Sequence, residues 1–392
     1  MKKLVLGACC LVLTAACGGG DEKPTTPTTT TSASAPATVS SAPPVTSASV
    51  ETPKPKPPLA ELIKKTMSDM DAAWAAHDAK KLMTTYADDV QAWGVMPPTG
   101  YGAATKAQIE QQMTGFFAGF PDGRNTATRT FTKGNMVVVE GVFSGTNTGE
   151  MMGQKGSGKK VSMHSAMVYA FNADGLINQQ WLFYDHLTMM GQVGQADPKM
   201  KVRALEPIPT APVVAIVAKD SPDEAKNVDL AKAFYMNFEK KDDKGYLGAL
   251  ADDVQMFDYS GSTDTKGKDG AKKNWTEMMK IFPDAKITPK VVMGFDNFVV
   301  AAVEFNGTMK GAMGPVKGTN KNGTIHLLDI VELKDGKAKN VWTYGSGLEA
   351  AIAYGLLPPP PAGGPKPATP PATGSAKPAT PPPAGSAKPA TK

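Results

Sequence analysis

Four landmarks recur along the chain in one order and at nearly one spacing. YADDVQAW at 86–93 returns as LADDVQMF at 250–257, 164 residues on. GFFAGFPD at 115–122 returns as EMMKIFPD at 277–284 and FSGTNTG at 143–149 as FNGTMKG at 305–311, both 162 residues on, and Trp181 is matched by Trp342, 161 on. A drift of three residues over four landmarks marks a duplicated domain, and the 300 residues between 58 and 357 suit two domains better than one.

Each copy follows one grammar. In the first, Leu59, Leu62, Ile63, Met67, Met70 and Trp74 recur at helical spacing, and a shorter helix with Leu82 and Met83 leads to Tyr86. A third helix carries Ile109, Met113, Phe116, Phe117 and Phe120 and stops at Pro121. The period then falls to two: MVVVEGVFSG, VSMHSAMVYAF and LINQQWLFYDHL read as strands, the last two joined at NADG. Helices first and an antiparallel sheet afterwards predict an α+β domain with helices over one face of a curved sheet.

Outside the repeat the composition changes. Lys2 and Lys3 precede LVLGACCLVL, an apolar run too short to span a bilayer, and small residues follow at TAAC, which predicts a signal peptide over 1–16. Leu13-Thr14-Ala15-Ala16-Cys17 resembles the bacterial lipoprotein processing box, with LGAC ending at Cys9 as a competing match; Cys17 is the expected lipidation site. All three cysteines lie within 1–17, so the body is expected to be held by its core alone. The expected order is then a Pro/Thr/Ser linker over 17–57, a first domain over 58–200, a linker over 201–224, a second domain over 225–357 and a Pro/Ala/Lys tail over 358–392. The tail is cationic, so that the net charge of +5 leaves the body at −1. This excludes an electrostatic footprint for nucleic acid. A lipid-anchored place in the cell envelope, at the periplasmic or outer-membrane face, and tail contact with cell-wall polymer are the expected associations.

The order HDAKKLMTTYADDV, FPD, GTNTG, ADGLI and W…YDHLTMMGQVG resembles the SnoaL-like polyketide (ester) cyclase family, within the nuclear-transport-factor-like α+β cones. The resemblance covers 62–195 and, more weakly, 225–356. It implies two tandem cones, and in such cyclases the aspartate of the last strand is a metal-free general acid/base that removes a proton from a carbon flanked by carbonyls. Asp185 falls on that position. The chemistry requires a carboxylate in an apolar cavity, where desolvation raises its pKa. Trp74, Phe117, Met163, Met167, Phe183 and Met189 are the expected walls. The other reading of Asp185 is the cap of a short helix, HLTMMGQVG.

His164 is the candidate partner of Asp185, sharing a strand face with Ser162 and Ala166; a structural hydrogen bond is its alternative, and a gap in the last hairpin aligns it with His326. His186, on the opposite strand face from Asp185, is expected at the surface. Asp88 and Asp89, repeated as Asp252 and Asp253, read as turn residues. GQKGSGKK at 153–160 fits a phosphate-loop pattern, but Lys160 stands where Ser or Thr is required and the segment joins two strands. The methionines suit an adaptable apolar pocket better than a copper site, and no metal or cofactor is expected.

The second copy tests these assignments. Aligning WTYGSGL with WLFYDHL puts Ser346 opposite Asp185, and serine is no general base without an activator. Asp329 is a conceivable substitute, with a strand-edge or surface role as its alternative. Three readings stand open: an acid/base enzyme confined to the first domain, a binder of a small hydrophobic carbonyl-bearing ligand, and a non-catalytic envelope interaction protein whose domains pair as a pseudo-dimer.

Overall fold

The computed structural model describes residues 56–96, 100–151, 153–196, 201–314 and 316–357. The expectations for the signal peptide, Cys17, the spacer and the tail lie outside them. From Pro58 onward the described residues belong to one compact unit.

The first copy runs α1 (Leu59–Ala75), α2 (Ala79–Met83), β1 (Tyr86–Met96), β2 (Gly100–Ala104), α3 (Lys106–Gly119), β3 (Arg124–Lys133), β4 (Met136–Thr146), β5 (Lys160–Phe171), β6 (Ile177–Tyr184) and α4 (His186–Gln192). A short strand, β7 (Val214–Val217), follows. The second copy runs α5 (Pro222–Glu239), α6 (Asp243–Gly248), β8 (Leu250–Asp258), β9 (Thr265–Lys266), α7 (Gly267–Ile281), β10 (Lys286–Phe295), β11 (Phe298–Thr308), β12 (Asn322–Lys334), β13 (Lys337–Tyr344) and α8 (Gly347–Ala353). The sheet orders are β2-β1-β6-β5-β4-β3-β7 and β10-β11-β12-β13-β8-β9. Apart from β7 they are the same order, and in both the last strand lies parallel to the first. The fold is therefore two tandem α+β cones.

The repeated motifs are the parts that hold this geometry. In FPD and GT, Asp122 accepts from the backbone N–H and hydroxyl of Thr146, at 2.7 Å each, and Asp284 does the same for Thr308 at 2.8 and 2.6 Å. Both carboxyls are held below the usual carboxylate range: these hydrogen bonds outweigh the opposing effect of burial, the largest single influence at Asp122. Asp78 and Asp242 cap α2 and α6, and the residues before them, His77 and Lys241, adopt φ of 51° and 58°. The ADDV motif is not a turn. Its aspartates lie within β1 and β8, where the register shifts, and Asp88 and Asp252 pair with Lys106 and Lys268 at 2.8 and 2.7 Å. The linker expectation is also corrected, because α5 starts at Pro222 behind a capping box of Ser221 and Glu224.

Two cores follow from strand alternation. Inside each cone, helical residues such as Ile63, Leu82 and Ile109 meet Tyr169 and Ile177, as Phe238, Tyr246 and Ile281 meet Val299 and Val341. The other faces of the two sheets pack on each other, Phe131, Val138, Val168 and Phe183 against Met293, Phe295, Val300, Ile330 and Tyr344. Within this seam Glu140 is only 1% exposed. Arg129, its cross-strand neighbour, grips both carboxylate oxygens, and the Tyr344 hydroxyl donates to one of them at 2.5 Å. The guanidinium lies 3.8 Å from the Trp342 ring centroid. At the equivalent cross-strand position the second copy pairs Val291 with Ala302.

Removing one member of such a buried pair strands the other charge. Arg129→Val is expected to destabilise the protein by about 3 kcal/mol. Adding Glu140→Ala, which copies the second domain, should restore part of that loss in denaturant unfolding. A double variant no more stable than Arg129→Val would contradict the assignment.

Candidate functional site

A cavity of about 180 Å³ opens inside the first cone. Alternation selects its walls: Met163, Ser165, Met167 and Tyr169 face it from β5, and Gln180, Leu182 and Tyr184 from β6. Trp93 and its neighbours contribute from β1, Asn125 from β3, Phe143 from β4, and Trp74, Leu82, Ile109, Met113 and Phe116 from the helices. Among the described residues the lining contains no Asp, Glu, His, Lys or Arg. Its phenols are uncharged near neutrality: burial pushes Tyr86, Tyr169 and Tyr184 up, and the Tyr86 hydroxyl donates to Gln180 at 2.5 Å.

Trp74, Met163 and Met167 line this cavity. The other three expected wall residues do not. Phe183 has the opposite parity to Leu182 and Tyr184, so it joins the seam between the sheets. Phe117 lies behind the wall, edge-on to Trp74 at 5.2 Å, and Met189 packs with Phe120, Val161 and Met163 in a separate cluster.

Asp185 lies outside the lining, 5% exposed, as the N-cap of α4. One oxygen accepts from Thr188 N at 2.9 Å and Thr188 Oγ1 at 2.7 Å. The other accepts from Leu187 N at 3.2 Å and, across the domain boundary, from Gly347 N at 2.8 Å. Burial raises its pKa, and these hydrogen bonds oppose the rise. Ser346 holds the matching N-cap position of α8. His186 is buried, not at the surface: its Nδ1 lies 3.3 Å from Ser346 Oγ, its ring packs on Tyr184, and burial pushes its pKa down to about 3. The position after Asp185 starts a helix, so strand parity does not govern it.

His164 is not brought to Asp185. It shares the face of Ser162 and Ala166, but that face is the convex one, away from the cavity. Its ring stacks on Tyr259 of the second domain at 4.0 Å, with Glu206 3.6 Å from Nε2. His326, at the equivalent register against β11, stacks on Tyr101 of the first domain at 3.6 Å and pairs with Glu349 at 2.7 Å. Each histidine thus contacts a tyrosine of the other copy.

In the second cone the positions of Leu82, Met113 and Ser165 hold Tyr246, Trp275 and Leu327, which pack into its core. Asp329, at the position of Met167, is buried within it and not at a strand edge or surface. It accepts from Tyr235 Oη at 2.9 Å and Thr343 Oγ1 at 2.7 Å, and burial pushes its pKa up to about 6 against those bonds. The segment at 153–160 leads directly into β5, where a phosphate loop needs a helix. Among the described residues no group of three His, Cys, Asp or Glu side chains is placed to hold a metal.

Residues 64–193 and 229–351 each match the family described as SnoaL-like polyketide cyclase. No curated protein matches the chain. Among solved structures it is similar to AclR of Streptomyces galilaeus, described as a hydroxylase, at 20% identity over 36% of this chain and 87% of that one, with a TM-score of 0.32. A protein from Jannaschia sp. CCS1, described as a SnoaL-like polyketide cyclase, shows 15% identity over 36% and 99%, with a TM-score of 0.33. One from Xanthomonas campestris pv. campestris, described as a polyketide cyclase, shows 18% over 34% and 98%, with a TM-score of 0.31.

Asp185→Ala removes a cap and is expected to cost about 1–2 kcal/mol of stability, measured by denaturant unfolding; no loss would contradict its capping role. Asp329 binds its proton more tightly folded than unfolded, so its contribution is full below pH 3.8 and is lost as pH rises through about 6. The stability of the wild type relative to Asp329→Asn should accordingly fall by about 3 kcal/mol between acid and neutral pH. A difference independent of pH would refute the raised pKa.

Proposed function

This chain belongs to the SnoaL-like polyketide cyclase family, and from that premise we propose that its first domain binds a small, uncharged, apolar molecule without using Asp185 to transform it. The observation that carries this reading is the contrast between the two places. The cavity is walled by apolar and neutral polar side chains, whereas the family's aspartate stands outside the lining with both oxygens engaged at a helix start. A general base must reach the proton it removes, directly or through one water. The second domain serves as a partner with a filled cone, consistent with Tyr246, Trp275 and Leu327 in its core. In this proposal the protein is exported and anchored through lipid on Cys17, which the run LTAAC supports.

Binding of indane, a compact uncharged probe, tests the cavity. An apolar cavity of roughly 150 Å³ takes benzene, so indane should raise the melting temperature of the wild type. Ser165→Leu, which copies Leu327, should abolish the effect with the fold retained, and Asp185→Ala should leave the affinity unchanged. Failure of indane to bind would overturn the reading. For the anchor, Cys17→Ser should move the protein from the detergent phase to the aqueous phase; equal partitioning would exclude lipidation there.

A further inference from the structure

The connection from β11 to β12 differs from its counterpart in the first copy, between β4 and β5. Each carries one bridge, Met151 with Gln154 in the first copy and Met313 with Val316 in the second. In the first copy the methionine is 6% exposed, its bridge partner is polar and Glu150 precedes it. In the second, Met313 is 40% and Val316 37% exposed, and Ala312 stands where the first copy has Glu150. Residues 309–321 contain Lys310, Lys317 and Lys321, all exposed, and no acid.

The surroundings add charge of the same sign. The backbone N–H groups of Lys310 and Gly311 donate to Ile281 O at 2.8 and 3.1 Å, which sets the connection beside the exposed Lys280 at the end of α7. Thr319 Oγ1 donates to Tyr354 O at 2.7 Å, and Lys321 Nζ lies against Gly355. The described chain ends close by, at Leu357, and the sequence beyond it holds Lys366, Lys377, Lys388 and Lys392 and no acid. Glu277 and Asp284 are the neighbouring acids in sequence, and both oxygens of Asp284 are already engaged by Thr308.

We propose that the β11–β12 connection docks on an anionic phospholipid surface, with Met313 and Val316 entering the interface and the lysines lying against the headgroups. Lysines alone would suit any polyanion. The exposed apolar pair is what selects lipid, because apolar side chains gain only where they leave water. Attraction between lysine and a charged surface falls off within a Debye length of about 8–10 Å, so the cations must flank the apolar pair, as they do here. The tail lysines follow on from the same place and can add contacts without a separate encounter. This surface is independent of the cavity and needs no lipid on Cys17.

Co-sedimentation with vesicles tests it, using the full chain with Cys17→Ser so that no acyl group contributes. Vesicles of phosphatidylcholine and phosphatidylglycerol in equal parts should bind at least about tenfold more tightly than phosphatidylcholine alone, and added salt should weaken them. Met313→Ser with Val316→Ser should lower the affinity about tenfold. Lys310→Gln with Lys317→Gln and Lys321→Gln should remove the preference for phosphatidylglycerol. All five residues are exposed, so an unchanged melting temperature is expected and checks the fold. Without these substitutions, a spin-labelled lipid should broaden the methyl resonance of Met313 and spare that of Met151. Equal affinity for the two kinds of vesicle overturns the inference. So does binding that survives the serine pair and is competed by soluble polyphosphate, which would assign the surface to a dissolved polyanion. Binding lost only when the four tail lysines are replaced by Gln would place it in the tail alone and overturn it equally. Indane binding in the cavity should be unaffected in every variant, so either reading can fail without the other.

Discussion

The Glu140 carboxylate is the most demanding group in the seam between the two sheets, because a buried charge must be met by an opposite charge and by hydrogen bonds. Arg129 meets it from the neighbouring strand and Tyr344 from the other domain. That tyrosine hydroxyl fixes how the sheets face each other, and the guanidinium over Trp342 uses the arginine's second face for the same purpose. Around this centre the contacts reach across in both directions: His164 stacks on Tyr259, His326 on Tyr101, and Asp185 caps Gly347. Asp185, which the family resemblance singles out, and His164, its candidate partner, thereby both contact the second domain.

The order of the copies was legible because turn and cap chemistry is local. Asp122 with Thr146 and Asp78 at the start of α2 leave short motifs that survive duplication. The helices of the first copy and strands β4 to β6 were legible by period. Strands β1, β3 and β7 were not. Nine of the ten residues of β3, RNTATRTFTK, are only partly buried or exposed, which blurs alternation, and β1 carries a register shift near its aspartates. β7 is four residues in a segment otherwise read as linker.

The site was legible in composition and less so in parity. Which face of β5 and β6 is concave is a property of the whole sheet, so a list drawn from residue type mixed Met163 and Met167, which line the cavity, with Phe183, which lies in the seam. Comparing the copies position by position points to the cavity, since Tyr246, Trp275 and Leu327 stand in the second copy where the first has Leu82, Met113 and Ser165. The Asp185 cap was legible as one of two alternatives, but its bond to Gly347 depends on a residue 162 positions away.

The Arg129–Glu140 pair in the seam also bears on how the domains can exist apart. The two copies bring different surfaces to the junction, Arg129 and Glu140 from one and Val291 and Ala302 from the other. Two copies of the first domain would set a pair of buried carboxylates where the chain has one, and the matching tyrosine would be missing, since Phe183 holds the position of Tyr344. Joined on one polypeptide, the unlike halves meet at a local concentration that dilution cannot lower. The fused chain can therefore keep its junction at any abundance in the cell, where a pair of separate subunits would come apart as they became scarce.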